Sequence, residues 1–141
     1  MDQTWRTVTN PGAGETFTFL ETAQERGGLR VVTLLALDPG GGVSPHSHRQ
    51  HELFECIDGE VAVHLEGNER TLSEGETLVA NPHTMHGLRN HGDSRATLRA
   101  TVTPAGDFDR LMRTLADLAR DGRMVPGRPP RVNPLVMAYL A

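Results

Sequence analysis

The sequence has no lysine: all fourteen basic residues among its 141 are arginine. Side-chain amine chemistry, Schiff bases included, is therefore excluded. There is one cysteine, Cys56, so no internal disulfide can form, and a reduced, cytoplasmic setting is expected. Aromatic residues make up only 4%, and Tyr139 is the single tyrosine, which leaves little phenolic acid chemistry. No run approaches the roughly 18 apolar residues that cross a bilayer. The opening residues, MDQTWRTVTNPGAG, lack the apolar core of a signal segment. The net charge is −4 and no basic stripe stands out. Neither nucleic acid nor membrane is expected as a partner.

What is present points to turns and strands. Fifteen glycines and nine prolines accompany 37% hydrophobic residues, the mix of a turn-rich, mostly β domain. The length suits one domain with a real core. Residues 1–28 read as an arm or first edge strand, with TFTFL at 16–20 a short β-branched and aromatic run. LRVVTLLAL, residues 29–37, is apolar on both parities, so burial on both faces is expected. DPGGG stops it. LFECI at 53–57 is the next strand, and Asp58-Gly59 reads as a tight hairpin turn. Val61, Val63 and Leu65 alternate with Ala62, His64 and Glu66, a half-buried strand. Further short runs follow at 69–72, 77–80, 86–90 and 96–102, with turn signals every eight to twelve residues, as in a sandwich or barrel.

After Pro104 the period changes. Asp107 is a good N-cap, and Phe108, Leu111, Met112, Leu115, Leu118 and Ala119 recur at three- and four-residue steps. An amphipathic helix is expected there, followed by a proline-rich linker and the apolar tail LVMAYLA, so that residues 104–141 form a C-terminal appendage.

Three of the seven histidines, His46, His48 and His51, lie within SPHSHRQHE, next to Glu52. His46 and His48 are two apart, which on one extended strand turns both side chains to the same face. Imidazole and carboxylate together suit a divalent transition metal. His86, in NPHTMHGLRN, is the candidate fourth donor from elsewhere in the chain. His51 has the opposite parity to Glu52, and His83, His64 and His91 read as surface residues.

Gly40-x5-His46-x-His48-x3-Glu52-x6-Gly59 resembles the first motif of the cupin superfamily at every named position. Gly75-x5-Asn81-x-His83-x2-His86-x3-Asn90 resembles the second in its spacing. It departs at Asn81, where the family usually has proline, and at His83, where it usually has glycine, although Pro82 keeps the turn stiff. The resemblance covers residues 29–103. It implies an all-β double-stranded β-helix, the cupin or jelly-roll barrel, with the C-terminal helix as a common appendage, and it implies a homodimer. By the same resemblance His46, His48, Glu52 and His86 bind one metal on the barrel's inner face.

Strand parity places Glu52, Phe54 and Cys56 on one face and His86, Leu88 and Asn90 on one face. A small apolar pocket is expected, lined by Phe54, Cys56 and Leu88, with Val32, Leu34 or Leu98 as further candidates. Cys56 reads as a buried small hydrophobe, with a reactive thiol as the rival. Four protein ligands leave one or two open positions on a six-coordinate ion, and Fe, Mn, Ni, Zn and Cu all fit the donors. Two readings follow. The first is a mononuclear metal dioxygenase, similar to quercetinase-like cupins, acting on a small molecule, with Glu52 as ligand and catalytic proton acceptor. The second is a metal-dependent small-molecule binding or sensor protein. A storage role ranks last.

Overall fold

The computed structural model describes residues 6–105 and Thr114. The expected helix from Phe108 and the apolar tail lie outside the described residues, Thr114 apart. Among the described residues ten strands follow one another: β1 (Thr7–Asn10), β2 (Glu15–Glu21), β3 (Val31–Leu37), β4 (Gly42–His46), β5 (His51–Asp58), β6 (Glu60–Leu65), β7 (Asn68–Ser73), β8 (Thr77–Ala80), β9 (His86–Arg89) and β10 (Ala96–Thr103). They form a six-stranded sheet, ordered β1-β2-β3-β10-β5-β8, and a four-stranded sheet, ordered β4-β9-β6-β7. Every pairing is antiparallel. This is a jelly-roll β fold, as the strand pattern and the resemblance imply. Among the described residues, no helix is long and apolar enough to cross a membrane.

Alternation builds the core. On β2, Glu15, Phe17 and Phe19 point inward while Thr16 and Thr18 are half-buried. Phe17 and Phe19 meet edge to face, with ring centroids 5.6 Å apart. They join Leu35, Leu37, Phe54, Val61, Val63, Leu72 and Leu98 in one buried cluster. Each large apolar side chain buried this way contributes about 1.5–3 kcal/mol.

Two local expectations change. The run at 29–37 does not bury both faces: Val31, Thr33, Leu35 and Leu37 are buried, while Val32, Leu34 and Ala36 are half-buried on the outer face. Val32 and Leu34 therefore do not face the interior, whereas Leu98 does. Asp58-Gly59 is not a hairpin, because β5 and β6 belong to different sheets. The chain passes there from one sheet to the other. Gly59 takes φ +79°, and a Cβ on it would lie 3.1 Å from that of Ala96, so the crossing hugs β10. The true two-residue hairpin joins β6 to β7, where Leu65 faces Asn68 and Glu66 and Gly67 both have positive φ.

Candidate metal centre

The expected donors come together from both sheets. His46 ends β4 and His86 begins β9, and the two are directly paired in register. β4 is an edge strand, so it tolerates Pro45. The register shifts between Val43 and His46. Gly87 makes room for that irregularity: a Cβ there would sit 2.9 Å from Pro45 N and Val43 O. Glu52 comes from β5 in the other sheet and faces inward with Phe54 and Cys56. His48 lies beyond the end of β4, in the connection that crosses between the sheets. The shared-face argument for His46 and His48 thus rests on the wrong element. The loop, rather than strand parity, brings His48 in. Its carbonyl accepts from the backbone N–H of His83 at 2.8 Å, which ties this crossing to the loop before β9.

The donor atoms of His46, His48 and His86 all lie within 4.8 Å of one another. Ring centroids are 4.6 Å apart for His46–His86, 4.8 Å for His48–His86 and 5.6 Å for His46–His48. Each Nδ1 is close to a backbone carbonyl: His46 to Ser44 at 2.8 Å, His48 to Gln50 at 3.1 Å, His86 to Thr84 at 2.8 Å. A carbonyl can only accept, so each Nδ1 donates. In the neutral ring, Nε2 is then left as the lone-pair donor. This is the second-shell pattern that orients imidazoles on metals.

Glu52 completes the group. Its Oε1 lies 3.0 Å from His48 Nε2 and 3.3 Å from His86 Nε2. The second contact is not aligned as a hydrogen bond, so His86 Nε2 is buried without a partner among the described residues. Burial alone would raise the Glu52 pKa, but the imidazole Nε2 groups of His48 and His86 beside it outweigh it and hold it at about 2. Burial, joined by the charge of His86, pulls His46 down to about 4. For His86 burial acts downward, yet the neighbouring carboxylate wins and the net shift is up. Three inward nitrogens, one of them the orphaned His86 Nε2, and one ionised carboxylate fit a bound divalent cation, which satisfies all of them at once.

Phe54, Cys56 and Leu88 are buried, and the Phe54 ring lies 5.9 Å from that of His86. The Cys56 thiol donates to the Gly59 carbonyl at 3.3 Å, and burial raises its pKa, so it is a packed thiol rather than a thiolate. Asn90 lies past the end of β9. It donates to the Leu37 and Ser94 carbonyls and accepts from Gly92 N, so it staples a loop. His51 is half-buried on the other parity of β5. His83 and His91 are exposed, and His91 pairs with Glu69 at 3.1 Å. Sequence reasoning missed Glu15, which is buried inside the barrel. The signal was available: extending the TFTFL strand back by one residue puts Glu15 in step with Phe17 and Phe19.

Known proteins agree with this architecture. The chain is 32% identical over 91 residues to quercetin 2,3-dioxygenase of Bacillus subtilis. That alignment covers 64% of this chain, but the chain spans only about a quarter, 26%, of the curated relative. A crystal structure of an RmlC-like cupin from Shewanella frigidimarina superposes with a TM-score of 0.63 at 22% identity, covering 72% of this chain and 86% of that one. KdgF from a Halomonas species gives 0.58 at 25% identity, covering 64% and 81%. The profile described as the cupin domain matches residues 33–103, half of the chain. On that match, with this fold and these motifs beneath it, the chain belongs to the cupin domain family.

Proposed function

We propose that this cupin is a mononuclear metalloenzyme of dioxygenase type, in which His46, His48, Glu52 and His86 hold one divalent transition metal. The observation that carries the reading is the convergence of three Nε2 atoms whose rings are fixed through Nδ1, around a carboxylate held ionised. When bound there, iron, manganese, nickel, copper or zinc supplies Lewis acidity and an open coordination position. The chain's own residues do the rest. The Ser44, Gln50 and Thr84 carbonyls hold the rings in one tautomer. Phe54 and Leu88 present apolar surface that limits water. Glu52 serves as the carboxylate ligand and is the group assigned to accept the proton of an acidic hydroxyl.

The likeness to a quercetin dioxygenase supports enolic or phenolic substrates. A second reading, binding of such molecules without turnover, draws on the short span of that match.

Elemental analysis of protein purified without a polyhistidine tag tests the centre. The wild type should carry about one equivalent of transition metal, and the double variant His48→Ala, His86→Ala should carry none. A wild type that takes up no metal, even after anaerobic reconstitution, would sink the assignment. Oxygen uptake with flavonols and other enolic phenols then separates the two readings: consumption supports the enzyme, and tight binding without consumption supports the sensor.

A further inference from the structure

Glu15 is the interior group that the metal centre leaves unexplained. It opens β2 and is only 6% exposed. Its register neighbours are Asn10 on β1 and Leu37 on β3, and its inward companions along the strand are Phe17 and Phe19. Its Oε2 is buried and has no hydrogen-bond partner among the described residues. Among the described residues, the arginine–carboxylate pairs Arg6–Glu25, Arg26–Glu21, Arg30–Glu21, Arg95–Asp38 and Arg99–Glu55 use other acids. Burial, with the Glu52 charge adding to it, pushes Glu15 up to about 8, so at neutral pH it keeps its proton. A buried carboxylic acid with an unmet oxygen is destabilising, and a leucine would pack there without that penalty. Within the described chain nothing offsets it.

The placement of the group suggests what does. β2 and β5 flank β3 and β10 in the six-stranded sheet. Glu15 and Glu52 are therefore both on its inner face, close enough for the charge of one to act on the other. A neutral acid is a hydrogen-bond donor, and its best acceptor is an anionic oxygen. We propose that Glu15 is a ligand-binding residue: its carboxyl group, buried inside the barrel with an unpartnered oxygen, hydrogen-bonds to a second, partly anionic oxygen of a small molecule held at the histidine centre. The inference rests on the metal reading above. It narrows the ligand to molecules with acceptor oxygens at both ends, one set for the metal and one for Glu15. No bond is made or broken in this step.

The test uses cobalt(II)-loaded protein and two probes, 4-nitrocatechol and catechol, followed through the cobalt visible bands. Both probes offer the same pair of oxygens to the metal. Only 4-nitrocatechol carries a distal acceptor, its nitro group, onto which the phenolate charge is delocalised. Glu15→Leu should lose about tenfold or more in 4-nitrocatechol affinity and leave catechol unchanged. Glu15→Gln, whose amide still donates, should stay within about threefold of wild type for both probes. Cobalt content should be one equivalent throughout. The proposal is overturned if Glu15→Leu binds both probes as the wild type does and melts at a higher temperature, for then the acid is only a buried burden. It is also overturned if Glu15→Leu loses cobalt, or if loaded wild type prefers neither probe. Wild type that takes no cobalt defeats the metal reading instead, and this inference falls with it.

Discussion

Glu52 and Glu15 share the inner face of one sheet, and the protein treats them in opposite ways. Burial pushes both toward the neutral form. At Glu52, the imidazoles of His48 and His86 reverse that push, and the carboxyl is held at about 2. At Glu15 no cation among the described residues answers, and the carboxyl rises to about 8. Depth therefore does not decide charge in this barrel; partners do. One acid belongs to a group built to hold a cation, and the other carries a proton on a group that the described residues leave unsatisfied.

The largest expected effect comes from removing the difference at Glu52. Glu52→Gln keeps the size of the side chain and deletes its charge. If the carboxylate is the fourth ligand, metal affinity falls at least about 100-fold, measured by competition with a chromophoric chelator. Affinity within threefold of wild type would mean that the three histidines bind the ion alone and that the contrast between the two acids is only a matter of local hydrogen bonding.

Glu15 gives a smaller effect with a defined sign. Its folded pKa, about 8, lies above the ordinary 4.5. Between those values the folded state holds one more proton than the unfolded state. The penalty of burying Glu15 is therefore smallest below pH 4.5 and grows as pH rises toward 8. Glu15→Gln cannot titrate. In metal-free protein, wild type should lose stability relative to the variant by up to about 1.4 kcal/mol per pH unit across this window. Denaturant melts of both proteins at pH 5, 6, 7 and 8 read the difference, which cancels the contributions of other groups. Parallel pH profiles would show that Glu15 is hydrated and titrates alike in the folded and unfolded states.

Much of this was legible in the sequence, for a physical reason. Spacing along strands converts directly into which side chains face inward, so Glu52, Phe54 and Cys56 fell on one buried face. The glycines of the first motif marked real turns: Gly40 and Gly59 both take positive φ. Long-range facts did not show. Asp58-Gly59 has the chemistry of a hairpin, and only the sheet assignment reveals a crossing. The inward turn of His48 depends on a loop, whose geometry no period describes. Glu15 escaped because a carboxylate at a strand's first residue reads as a solvated end. Its burial comes from pairing with β3 and with β1, which local pattern does not encode.

The smallest effect probes why the histidine end is held so firmly when Glu15 has so few ties. His83 sits at φ 62°, in the left-handed region that glycine adopts freely, and it stands where the second cupin motif usually has glycine. Its ring is exposed, but its backbone N–H holds the His48 carbonyl. A non-glycine residue in that conformation costs about 1–2 kcal/mol. Glycine relieves the strain but gives back about 0.4–1 kcal/mol through the freer unfolded chain. His83→Gly should therefore raise stability by about 0.5 kcal/mol, and it keeps the amide that positions His48. Metal affinity should stay within threefold, because only the backbone of this residue serves the centre. A clear loss of metal with unchanged stability would place the imidazole itself over the site. The cation would then be held by a fourth histidine that strand geometry does not bring inward, and the tie between the two loops would matter less than the ring it carries.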